Sequence, residues 1–127
     1  MSGALDVLIV DDEPAVAAGI ARLLERRGCP HRVALSSAQA LAAVREAAPG
    51  LVLLDLTLEH GRSGWAVWSE LEAVRPGTAL RVLVHSAALS AADRAEAERR
   101  GAAGIVRKST PPRRLVDQIV AALEGEP

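Results

Sequence analysis

The stretch LDVLIVDDEP, residues 5–14, decides how the chain is read: an apolar run is followed at once by Asp11, Asp12 and Glu13, then by Pro14. A run such as Leu5–Val10 suits a buried strand, and Pro14 suits the first turn of a helix, because a helix leaves its first amides unpaired in any case. The same grammar returns three times. Asp55 follows LVLL, His85-Ser86 follows LRVLV, and Lys108 follows the run at 104–107. In a parallel α/β sheet the carboxyl ends of the strands open onto one crevice, so side chains far apart in sequence converge there. Three carboxylates, a hydroxyl and an ammonium group then share one pocket, a set suited to a divalent cation and a phosphoryl group.

Working outward, strands alternate with helical segments five times. After Leu5–Val10, Val16, Ile20, Leu23 and Leu24 recur at helix spacing until Gly28. His31–Leu35 reads as a short strand. Ser36 or Ser37 caps a second helix with Leu41, Val44 and Ala48 on one face, and Pro49-Gly50 ends it. Leu51–Leu54 is the third strand, and no helix is expected before Gly64. Val67, Leu71 and Val74 then mark the third helix, Arg81–His85 the fourth strand, and Ser90 with Asp93 a capping box for the fourth helix. Only alanines supply that helix with apolar side chains, so it is expected to be weakly anchored. Gly104–Arg107 is the fifth strand, and Pro111-Pro112 opens a last helix with Leu115, Ile119 and Ala122 facing inward. Such alternation predicts a mostly parallel sheet covered by helices on both faces.

Composition narrows the function. The 127 residues suit one domain, 1–127, with 124–127 expected as a frayed tail. Twenty-five alanines and no Phe or Tyr leave Leu, Val, Ile and two tryptophans to fill the core. With Lys+Arg 15 against Asp+Glu 16 and a net charge of −1, a direct nucleic-acid partner is not expected. The single Cys29 excludes an internal disulfide and reads as a small semi-buried hydrophobe. No signal-peptide pattern and no membrane-length apolar stretch is seen, and a cytoplasmic protein without a membrane partner is expected. Gly61-Arg62-Ser63-Gly64 lacks the lysine and spacing of a phosphate-cradling loop.

The acids carry two readings. Asp11-Asp12-Glu13 before a proline also makes a good helix N-terminus, complementing the helix dipole. Asp55 has no such role, since it ends a wholly apolar strand. It is the best-placed nucleophile for an aspartyl phosphate, with Asp12 and Asp55 able to ligate Mg2+ directly and Asp11 through water. Lys108 would neutralise charge, and Ser86 would bond a phosphoryl oxygen, unless it serves only as a cap or turn residue.

At these residues the chain resembles the receiver domain of two-component response regulators over essentially its whole length. The resemblance rests on VDDEP at 10–14, LLDL at 53–56, His85-Ser86-Ala87 and GAAGIVRKS at 101–109. It implies a flavodoxin-like (βα)5 three-layer sandwich with strand order 2-1-3-4-5. It implies Asp55 as phosphoacceptor, with Ser86 and Lys108 assisting, in a regulatory domain rather than an enzyme. It also implies a Mg2+ or Mn2+ ion on Asp11, Asp12, Asp55 and the Thr57 backbone carbonyl. A histidine kinase or phosphotransfer protein would supply the phosphoryl group, and output would pass to an unknown downstream protein or a phosphorylation-dependent homodimer.

Several residues depart from the family pattern. Ile105 stands where an aromatic switch residue is common, and Ser109 where a proline with a cis bond usually follows the lysine. A non-proline cis bond costs about 3–4 kcal/mol, so a trans peptide with an altered loop, or strain, is expected. Glu59 replaces a common proline in a loop that is one residue longer, and Glu59 with His60 would then sit beside the metal site or simply face solvent. His85, at a usually apolar place, reads as a satisfied buried histidine. Trp65 and Trp68 share a helix face and read as core, with Trp65 near enough to the pocket to report on it. Val116, Val120 and Leu123 form a second apolar stripe that either packs on the sheet or offers a partner surface. With Ser86 and Ile105, Val116 and Val120 are the switch and output candidates. Two other readings remain: a receiver-fold binding module that has lost switching, and a small metal-dependent phosphatase or nucleotide-binding enzyme.

Overall fold

The computed structural model describes residues 6–125. Five strands alternate with five helices: β1 Val7–Val10, α1 Pro14–Arg26, β2 His31–Ala34, α2 Ser37–Glu46, β3 Leu51–Asp55, α3 Gly64–Val74, β4 Val82–Ser86, α4 Ala91–Arg100, β5 Gly104–Arg107 and α5 Pro112–Leu123. All strands are parallel, in the order β2-β1-β3-β4-β5. This is the flavodoxin-like arrangement. The expected Leu5 lies outside the described residues, as do positions 126–127 of the expected tail. No described helix is long and apolar enough to cross a membrane.

Alternate residues of the central strands feed two separate cores. Val7, Ile9, Leu51, Leu53, Leu83 and Val106 pack beneath α1 and α5 against Ile20, Leu24, Leu115 and Ile119. Leu8, Val10, Val52, Leu54 and Val82 face α2 and α3, where Val44, Val67, Trp68 and Leu71 meet them. Because both faces are covered, β1 and β3 are buried along their whole length, which is why they read as unbroken apolar runs. Trp68 is the largest fully buried side chain and supplies volume that Phe and Tyr supply elsewhere.

Several boundaries move. β2 stops at Ala34, and β4 begins at Val82 and runs on to Ser86. The second helix ends at Glu46, so Ala48 lies beyond it, and its buried face is Ser37, Ala40 and Val44 with Leu41 half-buried. Its end is fixed from outside: Arg32 on β2 donates to the carbonyls of Ala43 (2.8 Å) and Ala47 (3.0 Å) while pairing with Asp6 at 2.7 Å. Ala43 closes the last turn by accepting also from the Ala47 amide at 3.1 Å, whereas Ala47 lies just past the helix and its carbonyl is left over at the terminus. Ser36, not Ser37, is the cap, accepting from the Gln39 amide.

A single 3-10 turn, Glu59–Gly61, precedes α3 where no helix was expected. His60 sits there at φ 57°, the only non-glycine residue with positive φ among those described. No described peptide bond is cis, so Lys108-Ser109 takes the trans form.

Candidate functional site

The chain leaves β1 for β2 on one side and returns to β3 on the other, and this reversal opens a crevice at the carboxyl ends of β1 and β3. Asp11 and Asp12 stand on one lip and Asp55 on the other. One carboxylate oxygen from each of the three lies within 4.8 Å of the others, so the sequence-separated acids do converge. Asp11 is 1% exposed and Asp55 6% exposed, far below what unpaired acids tolerate.

Backbone geometry aims each acid. Asp11 Oδ1 accepts from the Glu13 amide at 2.9 Å, which leaves Oδ2 turned into the crevice. Asp55 Oδ1 accepts from the Thr57 amide at 3.2 Å, and its Oδ2 accepts from Lys108 Nζ at 3.0 Å. Lys108 Nζ also lies 2.9 Å from Asp11 Oδ2 and 3.6 Å from Glu13 Oε1. Its own amide donates to the Ser86 carbonyl at 2.9 Å, which binds the β5 exit to the end of β4.

Lys108 is the only lysine in the chain; every other basic side chain is arginine. Its compact ammonium can fit between two carboxylates, where a planar guanidinium would need a forked, wider seat. That count is a signal in the sequence that spacing alone does not reveal. Glu13 is the other residue of the crevice that motif reasoning left as a helix-terminal acid.

The charges do not balance. One ammonium group faces Asp11, Asp12, Asp55 and the exposed Glu13. Burial pushes the Asp55 carboxyl up, and the Asp11 charge adds to this, while the Thr57 amide and the Lys108 ammonium pull it down. Burial also works against the Lys108 charge, but its contacts with Asp11 and Asp55 outweigh that and hold its pKa above the usual lysine value. Asp11 Oδ2 is buried without an aligned hydrogen-bond donor, although the ammonium lies close. An orphaned buried oxygen beside two further carboxylates fits a hard divalent cation, which takes oxygen ligands and would cancel the remaining negative charge.

Gly64 closes the floor. A Cβ added there would lie 2.4 Å from the Asp55 carbonyl oxygen and 2.8 Å from Leu56 Cα, so only glycine lets α3 start against the acid's own backbone. Its amide donates to the Leu56 carbonyl at 2.9 Å.

Other expected residues land elsewhere. Ser86 is buried at the end of β4, but its hydroxyl donates to the Ala88 carbonyl at 2.8 Å. Glu59 turns away from the acids: it accepts from the Ser37 amide and, at 2.5 Å, from the Ser37 hydroxyl. Arg62 donates to that same hydroxyl and to Glu70, so the longer loop is stapled to the start of α2 and to α3. Thus Glu59 fills a structural place, and His60 is exposed. Val116 is buried at 5% exposure and Leu123 packs on the α1/α5 core, so the second stripe of α5 is spent inward, with Val120 half-buried. Ile105 is half-buried on the edge strand. His85 is buried at 4% exposure, and burial, helped by the Lys108 charge, pushes its pKa down to about 4, so it is neutral.

Against known proteins, the model of the response regulator receiver domain matches residues 7–120. The chain is 34% identical over 124 residues to the DNA-binding response regulator MtrA of Mycolicibacterium smegmatis, covering 95% of this chain and 53% of that protein. It spans about half the length of the curated relatives that match it over 95% of its own length. Among solved structures, the receiver domain of NtrX from Brucella abortus is 34% identical with a TM-score of 0.81, covering 94% of this chain and 98% of that one. A response regulator from Burkholderia pseudomallei, solved with a phosphorylated aspartic acid, a calcium ion and citrate, is 27% identical with a TM-score of 0.77, covering 94% and 69%.

Proposed function

Since the chain belongs to the family of response regulator receiver domains, we propose that residues 1–127 form one receiver domain that accepts a phosphoryl group on Asp55 and signals through protein contacts. The observation that carries this reading is the meeting of three carboxylates within 4.8 Å, with the only lysine of the chain bonded to the phosphoacceptor candidate. The phosphorylated aspartic acid and calcium ion of the Burkholderia pseudomallei regulator support the same chemistry by analogy.

Asp55 acts as nucleophile. A carboxylate oxygen attacks phosphorus in a phosphohistidine of a kinase or phosphotransfer protein, or in a small phosphodonor; the bond to the donor breaks and its electron pair leaves with the donor. Lys108, already on Asp55 Oδ2, stabilises the charge that builds on the transferred oxygens. Ser86 offers one hydroxyl proton to a phosphoryl oxygen. Asp11, Asp12, Asp55 and the Thr57 carbonyl would hold Mg2+ or Mn2+, which supplies charge neutralisation between carboxylate and phosphoryl oxygens. The domain regulates, and turnover of an external phosphoester is not part of this reading.

Ile105 favours a second reading, a receiver-fold module that is phosphorylated without switching, because an aliphatic edge residue cannot couple by a polar contact. Thermal unfolding tests the first reading. Mg2+ with beryllofluoride should raise the midpoint of the wild-type chain and leave Asp55→Asn where it was; an equal rise in both would count against Asp55. A rise in midpoint without any change in solution size or partner affinity would favour the silent module.

A further inference from the structure

Helix α1 carries a glycine near its middle, and packing does not account for it. A glycine inside a helix is less stable than alanine there, and the usual reason to keep one is a close neighbour. A Cβ built at Gly19 would meet nothing within 4 Å. The room it leaves belongs to a groove between α1 and α5 of about 380 Å3, a size suited to a small ligand. Val16, Ile20 and Leu23 of α1 and Leu115 of α5 give the groove apolar walls.

A buried polar group faces into this room. His85 alternates along β4 with Leu83, which packs in the α1/α5 core, so its ring lies on the same side of the sheet and lines the groove. It is 4% exposed, and neither ring nitrogen has a hydrogen-bond partner among the described residues. A neutral imidazole offers one donor and one acceptor, and buried groups of that kind are ordinarily satisfied. Charge sets the sign of the occupant. Arg22, Arg26 and Lys108 line the groove, and no acid does. Arg22 and Arg26 stand four residues apart on α1, a spacing at which like charges repel. Neither pairs with an acid among the described residues, whereas Arg27 beside them holds Asp117 at 3.0 Å. Lys108 is already committed to Asp11 and Asp55, which leaves the two arginines as the cations open to a ligand.

We propose that this groove is a binding site for a small organic anion with an apolar body. The anionic end lies on Arg22 and Arg26, the body runs over Gly19 between Val16, Ile20 and Leu115, and a polar group of the ligand bonds His85. A second copy of the chain is the poorer occupant, because a two-fold contact over the groove would bring the arginines of two α1 helices together. Lys108 stands between the groove and the acidic crevice, with its Nζ on Asp55. The acids of that crevice would repel this ligand, so the site is separate from the phosphoacceptor and does not depend on that reading.

Anilinonaphthalene sulfonate, an aromatic body with one sulfonate, is the probe. It is titrated into the whole chain and read by its fluorescence and by the ring-nitrogen resonances of His85, assigned with His85→Leu. Binding should saturate at one equivalent and shift the His85 resonances while those of His31 and His60 stay. Gly19→Leu, which fills the groove and suits the helix better, should abolish saturable binding without lowering the unfolding midpoint. Arg22→Ala combined with Arg26→Ala should weaken binding about tenfold, the effect of losing two exposed charge contacts. Binding as tight in Gly19→Leu as in the wild type, or saturation with the His85 resonances unmoved, would overturn the proposal, as would the lack of any saturable binding. If Gly19→Leu folds poorly, the His85 resonances and the arginine variant still decide: unmoved resonances and unchanged affinity would refute the site. Self-association of the chain that Gly19→Leu abolishes would assign the groove to a second copy and likewise overturn it.

Discussion

Lys108 and His85 mark two sides of the same crevice, and they respond to charge in opposite ways. Lys108 holds two buried carboxylates, so Lys108→Met leaves like charges facing one another; in the absence of divalent cation it should cost about 3 kcal/mol in denaturant unfolding. Mg2+ should restore much of that loss, because a cation among the acids does what the ammonium did. Equal stability of variant and wild type without Mg2+ would contradict the pairing. His85 is neutral in the fold, with its pKa pushed down to about 4 by burial first and Lys108 second, whereas in the unfolded chain it returns to 6.5. Between pH 6.5 and 4 the unfolded state therefore binds a proton that the folded state refuses, and stability falls as pH falls. At pH 5 the loss is about 2 kcal/mol. Urea titrations at pH 7 and pH 5 should show that slope in the wild type and a flatter one in His85→Leu; identical slopes would mean that the imidazole is already solvated.

At the scale of elements, Gly64 shows where the sequence was silent. As a helix-opening glycine it looked ordinary, but a Cβ there would fall 2.4 Å from the Asp55 carbonyl oxygen, so its absence is what lets α3 start against that backbone. Gly64→Ala should cost about 1–3 kcal/mol through overpacking and should slow phosphorylation by displacing Asp55, read by chemical denaturation and by phosphorylation rate. Unchanged values in both would show that the loop simply yields. The strands were legible because doubly covered strands leave apolar runs ending in functional residues, their order came only from the family resemblance, and the Ser90–Asp93 box was legible because its spacing is local. The contacts between elements were not. Glu59 finding Ser37, Arg32 ending α2, and Trp65 reaching Asp93 each join residues 11 to 28 positions apart, where neither periodicity nor propensity has any reach. Helix α4 taught the same lesson: its alanines were read correctly as weak anchors, yet its polar grip on α3 came from tryptophans assigned wholly to the core. The second stripe of α5, left open between packing inward and a partner surface, is largely turned inward: Val116 is buried and Leu123 packs on the α1/α5 core.

For the whole molecule, the topology does the gathering. Strands β1, β3, β4 and β5 contribute the acids, Ser86 and Lys108 from four distant segments, and one parallel sheet puts their ends side by side. The core beneath is closed on both faces, while α4 buries only Ala97. The central claim is that Asp55 takes a covalent phosphoryl group in this crevice, and intact-protein mass after incubation with a small phosphodonor tests it most directly. The account predicts one phosphoryl adduct on the wild-type chain, dependent on Mg2+ and absent from Asp55→Asn. An unchanged mass, or an adduct of the same yield in Asp55→Asn, would contradict it.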